Sequence, residues 1–243
     1  MKNKYKLIKY IFIAIVIINS SYIFKYFYNI YSNDKLLKNI KKTYKNATNS
    51  HKNKFDELVK KNPDFVGWLK INNTNINFPV VQGKDNKFYL DKDFYKKNNN
   101  SGSIFMDYKN KITNNIKNRD KNIIFYGHNM KSNTMFAELN KFTNKNFFMK
   151  NKYITFNTRT ENLKFEIFSV YKTKSTENYR KINFVSEKQH ENFLNKIKNN
   201  SLLKKNISLT HNDFIITLST CAYDFDDARL VLHAKLIKEK ILK

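Results

Sequence analysis

Three side chains have types that could build a reactive thiol site: Cys221, Arg229 and His128. Cys221 is the single cysteine of 243 residues. It ends a β-branched run (Ile215, Ile216, Thr217) where polar residues take over, so its sulfur is expected at a strand end, not in mid-core. Arg229 opens a second strand-like run. There Arg229, Val231, His233 and Lys235 share one face, and Leu230, Leu232, Ala234 and Leu236 the other. A hairpin of the two runs brings the guanidinium back towards the thiol. His128 follows Ile123-Ile124-Phe125-Tyr126-Gly127 and is also expected at a strand end. Its imidazole titrates near neutrality and can serve as a general acid–base partner. Each residue has an ordinary alternative: a free cysteine is often a small buried core residue, and a lone histidine is often a plain loop residue. His233 shares the Arg229 face, yet four strand residues separate them by roughly 13 Å. His51 and His190 lie in lysine-rich helical stretches, and His211 in a polar loop.

No histidine or cysteine spacing matches a metal site such as CxxC or HExxH. Asp224, Asp226 and Asp227 lack the glycine and terminal glutamate of a calcium loop and read as a solvated turn, one member of which can pair with Arg229. There is no P-loop or dinucleotide fingerprint, and no cofactor is expected. One cysteine excludes an internal disulfide, and in an exported chain it points to a free reactive thiol or intermolecular pairing. The charge is formally +26, from 46 basic and 20 acidic residues. The lysines are spread through every segment and interleaved with asparagine, so nucleic-acid binding is not expected. Attraction to an anionic surface follows from the charge itself.

The elements that must position these residues can be read in order. Four lysines precede an apolar run, and Leu7–Phe24 reads as an uncleaved membrane anchor with its N-terminus inside. Residues 29–62 carry helical apolar spacing (Leu36, Leu37, Ile40, Tyr44; Phe55, Leu58, Val59) and form a stalk or packing segment that ends before Pro63. From Phe65 the pattern becomes short strands: Val66–Ile71, Asn75–Val81, Ser103–Asp107, Asn122–Tyr126, Tyr153–Asn157, Leu163–Tyr171, Phe214–Cys221 and Arg229–Ile237. Helices are predicted over Thr134–Phe142 and Ser186–Asn199, the latter opening with Ser186 and Gln189 in capping-box spacing. The division is therefore 1–28 tail and anchor, 29–62 helical segment, 63–243 catalytic domain. The fold class is mainly β: an eight-stranded β-barrel with N-terminal helices and a helix inserted before the cysteine-bearing strand.

Thr217-Leu218-Ser219-Thr220-Cys221, with Arg229 eight positions on, resembles the TLxTC…R signature of the sortase family. Tyr126-Gly127-His128-Asn129 resembles that family's histidine motif. The resemblance runs from about Phe65 to Ile237. The serine within TLSTC, the helical segment before the barrel, the Ser186–Asn199 helix, Asn75–Gln82 and Ser103–Tyr108 are similar to class B members.

The resemblance implies a cysteine transpeptidase. Cys221 would attack a threonine carbonyl in the C-terminal sorting motif of a secreted protein, giving a thioester. His128 would protonate the leaving amine and deprotonate the incoming one, an amino group of a peptidoglycan precursor. Arg229 would stabilise the oxyanion. Ser219 and Thr220 are candidates for substrate contact or loop orientation. The implied location is a Gram-positive cell membrane, single-pass, with the catalytic domain facing the wall. Two rivals remain: a cysteine protease that releases acid to water, and a non-catalytic envelope-binding module.

Overall fold

The computed structural model describes residues 2–46, 51–112 and 119–241. Two compact units divide the chain after Asn39. The first is most of helix α1 (Lys2–Asn46). It contains an apolar stretch long enough to cross a membrane, none of it buried. No glycine or proline interrupts Leu7–Phe24, so nothing in it breaks a helix. Its polar residues Asn19 and Ser21 turn their side chains back onto the carbonyls of Ile15 and Ile18, which keeps their polar atoms satisfied on an apolar surface. The helix runs unbroken through Tyr28 and Asn29.

In the second unit, the chain from Ile40 onward packs helical residues against a barrel. Tyr44 stacks on Trp68 with ring centroids 4.2 Å apart. Phe55 and Leu58 of α2 (His51–Lys61) are buried, Phe55 against Phe65. Among the described residues eight strands close in the order β1-β2-β3-β4-β7-β8-β6-β5. They are β1 (Phe65–Ile71), β2 (Asn77–Val81), β3 (Ile104–Met106), β4 (Asn122–Tyr126), β5 (Tyr153–Asn157), β6 (Glu161–Lys174), β7 (Ile215–Cys221) and β8 (Ala228–Ile241). Closure leaves no unpaired sheet edge. The pairs β2/β3 and β4/β7 are parallel and the rest antiparallel.

All eight predicted strands are present. β6 and β8 are longer than predicted because they pair with each other over most of their lengths, through two register shifts. The segment predicted as helix over Thr134–Phe142 is a 3-10 turn at Ala137–Thr143. It leads into a short helix α3 (Lys145–Lys150), whose first turn is capped by Asn144 accepting from the Phe147 N–H. The predicted cap of α4 (Glu187–Asn199) is present: Ser186 Oγ accepts from the Gln189 N–H, and Gln189 Oε1 accepts from the Val185 N–H. The apolar face of α4 (Phe193, Leu194, Ile197) is buried over Ile215 of β7 and Val231 of β8. Each such side chain contributes roughly 1.5–3 kcal/mol on burial. By strand alternation, Leu218, Leu230 and Leu232 then face the barrel interior.

Candidate active site

The barrel's register sets the site. β4 and β7 run parallel, Asn122 beside Ile215 and Tyr126 beside Ser219, at a fixed offset of 93 residues. Carried two residues past the last rung, that offset sets His128 level with Cys221. β8 returns antiparallel and pairs Cys221 directly with Arg229. Side chains of directly paired residues lie on the same face, Cβ atoms about 5 Å apart. Imidazole, thiol and guanidinium thus come from three neighbouring strands at one rim. They line one cleft of about 320 Å³, together with Ser219 and Thr220.

Cys221 is half-buried and in no disulfide. After it the chain turns back through hydrogen bonds from Ala222 N to Ala228 O and from Ala228 N to Phe225 O. Asp227 completes the turn at φ 57°, a left-handed conformation that aspartate tolerates better than most side chains. Its carboxylate pairs with Arg229 Nη2 at 2.9 Å and accepts from the Ser175 hydroxyl. The Ser175 hydrogen bond, with help from Arg229, holds the Asp227 carboxyl below the usual range. Arg229 Nη1 also donates to the Ala228 carbonyl at 3.0 Å. Of the acidic turn, Asp227 pairs with Arg229, while Asp224 contacts Lys172.

His128 Nε2 lies 2.6 Å from the Leu90 carbonyl. A carbonyl only accepts, so Nε2 carries the proton, and in the neutral ring Nδ1 is the acceptor. Gly127 precedes it where a Cβ would come within 2.3 Å of Ile104 Cδ1 and 3.0 Å of the Phe136 ring. A larger residue there would have to displace the Ile104 side chain and press on the Phe136 ring. Thr220 Oγ1 donates to the Gly127 carbonyl at 2.7 Å, and Ser219 Oγ lies 3.0 Å from Tyr179 Oη. Both hydroxyls are buried and already hydrogen-bonded within the protein.

Two tyrosines, Tyr126 and Tyr179, also line the cleft. Tyr126 donates to Asp107 Oδ2 at 2.8 Å. Burial first, then the Asp107 charge, raises its pKa. Burial likewise raises that of Tyr179, so both rings are neutral phenols. Tyr126 belongs to the same short motif as His128 and was findable there. Tyr179 sits in the irregular stretch after β6, where no periodicity marks it.

His233 is excluded from the site, as the strand spacing indicated. It is fully buried, with Nδ1 2.9 Å from Thr217 Oγ1 and Nε2 3.1 Å from Tyr171 Oη. Thr217 donates to Asn122 Oδ1, so His233 Nδ1 must donate to Thr217 and Nε2 accept from Tyr171. Burial pushes its pKa down to about 3. It is a neutral core histidine. Among the described residues no group of three His, Cys, Asp or Glu side chains could hold a metal ion.

A lone thiol at a strand end, level with an imidazole and a guanidinium on a closed barrel, is the equipment of a cysteine enzyme. Comparison with known proteins gives the class more closely. The Sortase domain family matches residues 69–237. Sortase B of Staphylococcus aureus is 39% identical over 186 residues, covering 76% of this chain and 75% of that protein. The crystal structure of Clostridium perfringens sortase B is 46% identical with a TM-score of 0.71, covering 75% of this chain and 99% of that one. A Staphylococcus aureus sortase B–substrate complex superposes with a TM-score of 0.75 at 35% identity, covering 84% and 94%. The chain belongs to the sortase family of cysteine transpeptidases, and it is most like the class B members. Its activity is that of a cell-wall sorting transpeptidase.

Proposed function

We propose that Cys221, His128 and Arg229 carry the transfer. The single observation behind this reading is their common level on β4, β7 and β8, with all three lining one cleft. Cys221 Sγ attacks the threonine carbonyl of a C-terminal sorting motif, its proton passing to His128. The tetrahedral oxyanion faces the Arg229 guanidinium, which Asp227 and the Ala228 carbonyl hold on one side; its other N–H donors serve the substrate oxygen. His128 returns the proton to the leaving amine, the C–N bond breaks, and a thioester remains. An amino group of a peptidoglycan precursor then attacks the thioester, gives its proton to His128 and releases the thiol. Solved relatives carry a bound substrate in one case and triglycine in another, which supports a peptide donor and an amine acceptor. Ser219 and Thr220 serve by shaping the cleft wall, since their hydroxyls have partners already.

In the same reading residues 1–28 are a cytoplasmic tail and single-pass anchor, 29–62 a helical segment, and 63–243 the catalytic domain outside the membrane. The apolar stretch of α1 supports the anchor. The test uses the full chain in detergent with quenched fluorescent peptides varied at the first and last motif positions. Cleavage after threonine, capture by an added amine as an amide, and loss of both in Cys221→Ala, His128→Ala and Arg229→Ala are expected. Cleavage that survives Cys221→Ala sinks the mechanism. Cleavage with no amide product makes the protein a protease.

A further inference from the structure

We propose that Asn129 is a positioning residue that holds the His128 imidazole and the Cys221 thiol in one frame. The proposal rests on the roles given to those two residues above. The parallel ladder between β4 and β7 ends at the rim with a long rung, Gly127 N to Ser219 O at 3.3 Å. Past that point no further backbone rung joins the two strands among the described residues. Two side-chain rungs continue where the ladder stops. Thr220 Oγ1 donates to the carbonyl of Gly127, tying the residue before the thiol to the residue before the imidazole. Asn129 Nδ2 donates to the Cys221 carbonyl at 2.9 Å, tying the residue after the imidazole to the thiol's own residue. His128 and Cys221 are bracketed on both sides.

Asn129 is itself held firmly. Its Oδ1 accepts from Asn140 Nδ2 at 3.2 Å, which fixes the amide with its donor end towards Cys221. Its carbonyl accepts from the Tyr223 hydroxyl at 3.0 Å, a residue of the turn that follows the cysteine. It also bridges to Met135 across its own loop, while His128 O accepts from the Phe136 N–H. Asn129 is not among the residues lining the cleft of Cys221; it lines a neighbouring one of about 420 Å³ with Asn140 and Tyr223, and it reaches Cys221 through the backbone carbonyl. A displacement of about 1 Å between reacting groups can cost as much as 10²-fold in rate.

The test compares Asn129→Ala and Asn129→Asp with wild type in the full chain. Asn129→Asp keeps the size but exchanges the donor for a carboxylate, and it reports even where Asn129→Ala folds poorly; the neutral Asn129→Ala and Asn140→Ala separate the lost donor from the added charge. Peptide cleavage is expected to show kcat lowered about 10-fold or more with KM within about twofold. Iodoacetamide alkylation of Cys221 over roughly pH 6–9 is expected to follow a different profile from wild type. Asn140→Ala, which frees the amide to rotate, should move both readouts the same way by less. A wild-type kcat and a wild-type alkylation profile in Asn129→Asp overturn the proposal. So does a lowered rate that tracks only the folded fraction, with the alkylation profile unmoved. Alkylation needs no substrate, so it decides the role of Asn129 even where cleavage by Cys221→Ala defeats the catalytic reading.

Discussion

The two ends of β8 carry similar charged groups in opposite settings. At its start Arg229 lines an open cleft, with Asp227 on one side and room for substrate on the other. At its far end Glu239 meets Arg119 and Glu161, and there the charges are turned on one another. Arg119 Nη2 lies 2.5 Å from Glu161 Oε1, and its two Nη atoms reach Glu239 at 3.0 and 3.1 Å. The side chains of Arg119 and Glu161 are 3% and 1% exposed. Two carboxyls share one cation there, and Glu161 Oε2 has no hydrogen-bond partner among the described residues. Burial, aided by the neighbouring Glu239, pushes the Glu161 pKa up to about 7 against the pull of Arg119, whereas the Arg119 hydrogen bonds keep Glu239 low. The difference lies in what surrounds the charges. A guanidinium shared by two carboxyls closes a barrel end; one held by a single carboxylate and a backbone carbonyl keeps N–H donors free to face the cleft.

Removing the buried cation gives the largest effect. Arg119→Met leaves two carboxyls without their partner and is expected to cost about 3–5 kcal/mol in urea denaturation at neutral pH, with kcat of the folded enzyme unchanged. If instead activity falls and stability holds, the contrast between the ends is wrong. At the rim, Arg229→Ala is expected to do the reverse. Its kcat should fall roughly 10²–10³-fold, as for loss of an oxyanion donor, while the denaturation midpoint stays close to wild type.

Thr220→Val tests the junction between rim and core. It leaves the Gly127 carbonyl without its donor, which should cost about 1–3 kcal/mol and lower kcat. Thr220→Ser restores both in thermal melts and peptide assays. The smallest effect is a slope. Glu161 binds its proton more tightly folded than unfolded, because its pKa is raised from 4.5 to about 7. Its stabilising contribution is therefore complete below about 4.5 and is lost as pH rises through about 7. Between roughly pH 5 and 8 the wild type should lose more stability than Glu161→Gln. Equal slopes would mean that Glu161 is ionised throughout.

Much of this was readable in the residues. Short apolar and β-branched runs at regular intervals marked all eight strands, although β4 and β7 are buried on both faces and show no alternation. Cys221, Arg229 and His128 stood out because thiol, guanidinium and imidazole are rare types at strand ends. What alternation cannot say is which strand neighbours which, so the parallel partnership of β4 with β7 was not visible. The contact of His128 with the Leu90 carbonyl was hidden for the same reason. Arg119, Glu161 and Glu239 look like ordinary surface charges in a chain with 46 basic residues. The burial of Arg119 and Glu161 depends on tertiary neighbours that no local pattern shows. The short α3 was missed because KNFFMK spans too few turns to show a period.

The offset of 93 residues between β4 and β7 also bears on the order in which the protein is completed. Parallel strands cannot be joined by a tight turn, and here β5, β6, α3 and α4 all lie between them. Such distant pairings form slowly, because a long loop must close before any contact rewards it. A chain made from its N-terminus holds His128 early and waits for its partner. Cys221 follows only after four further elements have been made, and Arg229 later still. No half-emerged chain can bring all three together, so the thiol meets the imidazole and the guanidinium only once the barrel is able to close.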